Sequence, residues 1–402
     1  MSARLPLTGI KVLDFTANVS GPYTTQILVE LGADVIKVER PGLGDDGRRL
    51  GPTIGDISSV FEAVNRGKRS IAIDLKSAEG RSLALELASQ VDVLVENQKP
   101  GGMAALGLGF DHVAAVNDDI VYLSVSGFGQ NGPLAARPGY DMVMQARAGI
   151  ISVTGEPDRA PVRVGLSVVD FGTGPWGALS IMAALRLRDA GAAAQHLDLS
   201  LYDVAVNWST LLLTQYTIAG ERPRRRGGQT AMGAPADIYP TARGYLVVAV
   251  VNEPLWRKFC QSAGLDALFA DPRFASNALR SRNRAELSAL LIDHFATDTA
   301  IAWAARLQEA GVTAEAVAEV EDLLEDPQAI ARESFISVDH PVLNEVIAGV
   351  APPVGQRNWQ AAGRTASPAL GAHTVAVLEE FGVDAARIAA LTRAGVVSPP
   401  KT

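Results

Sequence analysis

A chain of 402 residues, 48% of them apolar and only one of them cysteine, is long enough for two or three domains, and it cannot hold a disulfide framework or a paired-cysteine zinc or redox motif. The formal net charge of −8 and the scattered basic residues leave no electrostatic footprint for nucleic acid, and the short run Arg224 to Arg226 reads as a solvated loop. The opening MSARLPLTGIKVLDF lacks the apolar core of a signal peptide, and no window reaches the roughly 18 uncharged apolar residues of a membrane span, so a soluble cytoplasmic protein with no nucleic-acid or membrane partner is expected.

From the amino terminus, β-branched runs alternate with amphipathic stretches: IKVLDF (10–15), TTQILVELGA (24–33), DVIKVE (34–39), SIAIDL (70–75), SAEGRSLALELASQ (77–90), VDVLVEN (91–97) and DIVYLSVS (119–126). That alternation predicts βαβ units around a parallel sheet buried on both faces. PVRVGLSVV (161–169) is expected to be a strand ending at Asp170, and GPWGALSIMAALRLRD a core helix with Pro175 in its first turn. From the glycine-rich RRRGGQTAMGAP onward, GYLVVAVVN (244–252) and helical patterns carrying Trp256, Phe259, Leu287 and Leu290 predict a smaller domain. The expected architecture is a large Rossmann-like α/β domain over 1–205, a small α+β domain over 225–335, and a segment over 345–402, with the helix AHTVAVLEEFG, that returns to the large domain.

Several familiar chemistries are disfavoured. GFGQNG (127–132) matches GxGxxG after a predicted strand, but Pro133 and Pro138 follow where a dinucleotide site needs a helix, so it reads as a loop. No two of the five histidines fall three or four residues apart, so no metal site is expected, and there is no GxSxG elbow.

Asp170 remains. It can cap the helix that follows, a role worth about 0.3–1 kcal/mol. Alternatively, Gly172 and Gly174 let a ligand approach the backbone, and amide donors with a helix N-terminus keep the carboxylate ionised as a nucleophile. A carboxylate is a feasible nucleophile toward a thioester, which makes acyl-CoA chemistry the first class to test.

Several separated motifs then agree. LTGIKVLDFTANVSGPYTTQILVELGADVIKVERPGLGDDGR, NRGKRSIAIDLKSAEGR, VDVLVENQKPGGMAALGLG, LSVSGFGQNGP, RPGYDMVMQA, VVDFGTGPWGALSIMAAL and GAHTVAVLEEFG follow the order of the family III coenzyme A transferases, which the chain resembles over nearly its whole length. The resemblance implies a CoA transferase with Asp170 as catalytic nucleophile, an aspartyl anhydride, and then an aspartyl-CoA thioester. It implies a CoA thioester as substrate, a small carboxylic or dicarboxylic acid as acceptor, succinyl-CoA as a plausible donor, and no permanently bound cofactor.

By the same resemblance, Arg40, Ile73, Lys76, Asn97 and Gln98 line the CoA path, Tyr140 lies near the thioester with Asp141 behind it, and Gly227, Gly228 and Gln229 supply oxyanion donors or a lid. An interlocked homodimer is also implied. Val19, near the reacting centre, stands where formyl-CoA transferase has glutamine, which argues against formyl/oxalate exchange; Gln98 and Ala105 also depart from the family pattern. A racemase on the same fold uses histidine where this chain has Tyr140, and a phenol of pKa about 10 is a poor neutral-pH base. A CoA-binding protein without catalysis is the alternative from another class.

Overall fold

The computed structural model describes residues 5–230, 233–343, 346–353 and 361–400. Six strands, β1 (Lys11–Phe15), β2 (Asp34–Glu39), β3 (Arg69–Ala72), β4 (Val93–Glu96), β5 (Val121–Ser126) and β6 (Gln195–Ser200), form one sheet. Every pairing is parallel, in the order β3-β2-β1-β4-β5-β6. The first five strands overlap the predicted runs. Strand β6 has no predicted counterpart: QHLDLS lacks the β-branched run of a buried strand and alternates exposure as an edge strand does. The order reverses between β1 and β4, and ligand crevices of such sheets open at the carboxyl ends of the strands there.

The pleat sorts the sheet's side chains onto two cores. Leu13, Ile36, Leu94 and Tyr122 face one; Val12, Val35, Val93, Val121 and Leu123 face the other. Helix α1 (Ser20–Glu30) covers the second core with Leu28 and Val29, and α2 (Ala78–Ala88), capped by the Ser77 hydroxyl on the Gly80 amide, covers the first with Leu83 and Leu87. Burying each such leucine contributes about 1.5–3 kcal/mol.

The segment before Asp170 corrects the prediction. Residues 161–167 form no strand, and helix α4 (Val168–Arg188) starts two residues before Asp170 rather than near Pro175. Helix α3 (Asp141–Arg147) supplies the reason: the Asp141 Oδ2 accepts from the amides of Val169 and Asp170 at 2.7 and 3.2 Å, anchoring a helix start that valine propensity alone disfavours. Pro175 therefore sits inside the helix, where it has no N–H to offer the Phe171 carbonyl. By length and composition α4 is apolar enough to cross a membrane, but half of that stretch is buried, with Val169, Ala178 and Ile181 in the core beside α1. Helices α5 (Leu201–Trp208) and α6 (Thr210–Ala219) follow β6.

The chain divides into two compact units. The smaller comprises Ile151–Val162 and Arg222–Asp326; the larger comprises Met1–Ile150, Arg163–Glu221 and Pro327–Thr402. Residues 151–162, expected in the large domain, thus belong to the small unit, and 327–335 to the large one. The small unit is α+β: the antiparallel strands β7 (Ala236–Pro240), β8 (Tyr245–Ala249) and β9 (Thr313–Ala316), in the order β9-β8-β7, are accompanied by α7 (Glu253–Ala263), α8 (Arg284–Phe295) and α9 (Ala300–Glu309). Trp256, Phe259, Leu287, Phe295 and Trp303 fill its core, while Leu290 is 40% exposed. Cys260 is buried there, and burial pushes its thiol up to about 12, which makes it inert at neutral pH.

The returning segment completes the large unit. After the hairpin β10 (Phe335–Asp339) and β11 (Val346–Val350), α10 (Thr374–Glu380) and α11 (Ala385–Arg393) bring Val377, Leu378, Ile388 and Leu391 into the core that holds Leu13 and Leu94. Thr374 and Val397 tie this segment to the end of β3: the Thr374 hydroxyl accepts from the Ala72 amide, and Val397 forms an antiparallel bridge with Ile73.

Candidate active site

Asp170 is the third residue of α4. Burial pushes its carboxyl up to about 7, the neighbouring Asp141 carboxylate adds to the rise, and a hydrogen bond from the Ser20 hydroxyl works against it. The sequence-based expectation of a fully ionised aspartate is therefore corrected: the amide donors of this helix start are spent on Asp141, and desolvation outweighs the helix N-terminus. Asp170 is also not the side-chain cap of its helix, because Asp141 holds that place. At neutral pH the group stands near half ionisation.

The glycines after Asp170 serve packing. A Cβ on Gly174 would stand 2.3 Å from Tyr23 Cδ1, one on Gly177 2.6 Å from Thr24 Oγ1, and one on Gly172 2.7 Å from Trp208 Nε1. Gly174 and Gly177 thus let α4 lie close against α1, and Gly172 admits the indole of α5. The reading of Gly172 and Gly174 as an opening for a ligand is set aside, since both are buried against side chains. Tyr23 and Phe171 close the contact with ring centroids 4.7 Å apart. Helix α1 therefore delivers Ser20, its first residue, to Asp170.

The loop leading into α1 is held from four directions. Asp14 Oδ1 accepts from the Thr16 amide and hydroxyl, the Lys37 ammonium donates to the Thr16 carbonyl, Asn97 accepts from the Ala17 amide and donates to its carbonyl, and Asp45 Oδ1 accepts from the Asn18 amide. Asn18 adopts φ 69°, a left-handed conformation that asparagine tolerates better than most residues. Beneath the loop, Lys68 pairs with Asp14 at 3.0 Å and Lys37 with Asp45 at 2.9 Å, all four side chains being almost wholly buried. Desolvation opposes ionisation of Asp14, but Lys68, Lys37 and the hydroxyls of Thr16 and Thr25 outweigh it and hold the carboxyl down at about 2. Sequence reading missed this network, although a lysine in the middle of the buried run DVIKVE signals a required partner.

The remaining predicted residues fall into groups. Val19 is the N-cap residue of α1, half-buried beside Ser20. Tyr140 stands at the head of α3 and is 71% exposed, while Asp141 is buried behind it. Asn97 lies at the β1/β4 crevice, where a Cβ on Gly21 would stand 3.2 Å from its Nδ2, but both ends of its amide are engaged by Ala17. Gln98 is exposed, and its amide donates to Glu96.

Arg40 and Lys76 are exposed, Arg40 donating to the Gly44 carbonyl and Asp46; Ile73 is buried, so only its backbone can face a ligand, and its amide donates to the Glu39 carbonyl. Gly227, Gly228 and Gln229 belong to the small unit, where Gly227 has φ 60° and its amide donates to Gly155. GFGQNG is a loop as predicted, and a Cβ on Gly127 would stand 3.0 Å from Gly139 Cα, so this glycine lets two backbones approach. A separate cleft of about 220 Å³ opens beside Glu96, Ser124, Gln130 and His196, and Asp170 does not line it.

Comparison with known proteins shows the family of the chain. The profile of CoA-transferase family III matches residues 7–374. The chain is 35% identical to the succinate–glutarate CoA-transferase of Agrobacterium fabrum over 94% of its own length and 96% of that protein, and 33% identical to human succinyl-CoA:glutarate CoA-transferase over 99% and 91%. Among solved structures, a CaiB/BaiF family protein from Brucella suis superposes with a TM-score of 0.88 at 35% identity, covering 94% of this chain and all of that one.

Proposed function

Because the chain belongs to CoA-transferase family III, we propose that it moves coenzyme A from succinyl-CoA to a small dicarboxylic acid, with Asp170 as the covalent nucleophile. The observation that carries the reading is Asp170 itself: a half-buried carboxyl at a helix start, facing a second carboxylate and a hydroxyl, with a pKa near neutrality. The relatives named for succinate, succinyl-CoA and glutarate support the substrate class.

The exchange needs no net proton transfer. The Asp170 carboxylate attacks the thioester carbonyl, the C–S bond breaks, and CoA leaves as thiolate from a mixed anhydride. The thiolate attacks the aspartyl carbonyl of that anhydride, the C–O bond breaks, and the donor acid leaves as carboxylate. The acceptor carboxylate then attacks the aspartyl carbonyl of the aspartyl-CoA thioester, the C–S bond breaks and thiolate leaves a second mixed anhydride; the thiolate attacks the acceptor's carbonyl, the C–O bond breaks, and Asp170 is freed as carboxylate. Each intermediate keeps an activated acyl bond, so the chemistry runs without ATP. A carboxyl with raised pKa suits these steps, because the more basic carboxylate is the better nucleophile and the ionised fraction is still large at pH 7–8.

Arg40, Lys76, Gln98 and the backbone of Ile73 are proposed to meet CoA, whereas the amides of Gly227 and Gln229 are already engaged by the Gly155 and Arg226 carbonyls. Asn97, with its amide engaged by Ala17, is proposed to shape the crevice. A homodimer in a reducing compartment completes the proposal. Exposed Leu211 and Ile218 on α6 and Leu179 and Trp176 on α4 support a partner surface, and equilibrium sedimentation at the mass of one chain would refute it.

Incubation with succinyl-CoA and hydroxylamine is expected to convert Asp170 to a hydroxamate detectable by peptide mass spectrometry. Asp170→Ala is expected to lose exchange by about 10³-fold or more, equivalent to about 4 kcal/mol of barrier. An active Asp170→Ala enzyme with no trapped residue overturns the reading.

A further inference from the structure

Gln145 takes no part in the chemistry just described, yet it is fully buried and both ends of its amide are engaged. Its Nε2 donates to Asp141 Oδ1 at 2.5 Å, and its Oε1 accepts from the Val164 amide at 2.9 Å. Asp141 Oδ2 in turn accepts from the amides of Val169 and Asp170. One uncharged side chain thus fixes the carboxylate that caps α4, and it pins Val164 in the stretch leading back to that helix.

We propose that Gln145 is a positioning residue for Asp170: by holding the Asp141 carboxylate against the start of α4, it sets both the placement and the proton affinity of the nucleophile. The inference rests on the reading of Asp170 as nucleophile. Every donor to Asp141 here is a neutral amide, so its negative charge stays uncompensated beside Asp170. A cation in place of Gln145 would neutralise it. The amide supplies geometry without charge.

Other titratable groups on the elements around α4 have partners of their own. On α1, the Tyr23 ring packs on Phe171 and Glu30 pairs with Arg66; on α3, Arg147 lies over the rings of Phe128 and Tyr202, and Tyr140 points to exposed surface. On α5, Asp203 accepts from Ser200; on β5, Tyr122 donates to the Leu108 carbonyl; on β6, His196 bonds Ser124 and Asp198 accepts from the Gln130 amide. Asp141 and the Ser20 hydroxyl are the groups that act on Asp170.

The test is the pH profile of kcat/KM for CoA exchange in the full chain, with Asp141→Asn, Gln145→Met and the double variant, each checked for a cooperative thermal transition. Asp141→Asn removes the charge and is expected to move the acid limb down by about one pH unit or more. Gln145→Met, close in shape but without donor or acceptor, is expected to move the limb the same way, and the double variant no further than Asp141→Asn alone. A merely structural role lowers the rate at all pH values and leaves the limb in place; that result, or additive shifts in the double variant, overturns the inference. Should Gln145→Met not fold, an unmoved limb in Asp141→Asn overturns it as well. Failure of the nucleophile reading is seen separately, as an Asp170→Ala enzyme that still exchanges CoA.

Discussion

Two sets of ionisable groups withdrawn from solvent flank the amino end of α1, and they are built in opposite ways. On one side Asp14 and Asp45 meet Lys68 and Lys37, and the charges cancel; on the other Asp170 meets Asp141, and they do not. Asp14 and Asp170 start from the same intrinsic acidity and end near 2 and near 7. A compensated charge fixes a loop, whereas an uncompensated one is kept reactive and lowers the stability of the fold.

The largest test of this contrast removes compensation from the first set. Lys68→Met leaves Asp14 buried beside hydroxyls and Lys37, and is expected to cost about 3–5 kcal/mol in urea unfolding. Next, Gly174→Ala drives a methyl into Tyr23 and spreads α1 from α4, with an expected loss of about 1–3 kcal/mol and a fall in kcat as Ser20 withdraws from Asp170.

The smallest effect has the opposite sign. Asp170 holds its proton more tightly folded than unfolded, so its ionisation opposes folding: the penalty is absent below about pH 4 and complete above about pH 7. Asp170→Asn is therefore expected to stabilise the protein by on the order of 1 kcal/mol at pH 8, after discounting for solvent screening, and not at pH 4. Asp14 behaves conversely: its stabilisation is present above about pH 4 and lost as pH falls toward 2. Equal melting temperatures for wild type and Asp170→Asn at pH 8 would erase the distinction between the sets.

Local signals made the first five strands and the core helices legible, because β-branched runs and leucine spacing report burial directly. Asp170 stood out as a lone carboxylate beside a glycine turn, and the ordered motifs identified its family. What stayed hidden depends on partners distant in sequence. The start of α4 is fixed by Asp141, 29 positions upstream, so four valines between 162 and 169 read as a strand and the chain forms a loop and a helix. The glycines at 172, 174 and 177 looked like ligand access, but what they admit is Trp208, Tyr23 and Thr24. Gln145 and Ser20 carry no pattern that single-sequence reading could single out.

The return of α10 and α11 to the first sheet has a further consequence for the order of synthesis. Every residue of the small unit leaves the ribosome before Val377, Leu378, Ile388 and Leu391, which cover Leu13 and Leu94. The inserted unit can close its core during translation, while its host holds an apolar face covered only in part, by α2, through more than two hundred intervening residues. Until the last residues emerge, the part of that sheet face awaiting Val377, Leu378, Ile388 and Leu391 stays open in the nascent chain.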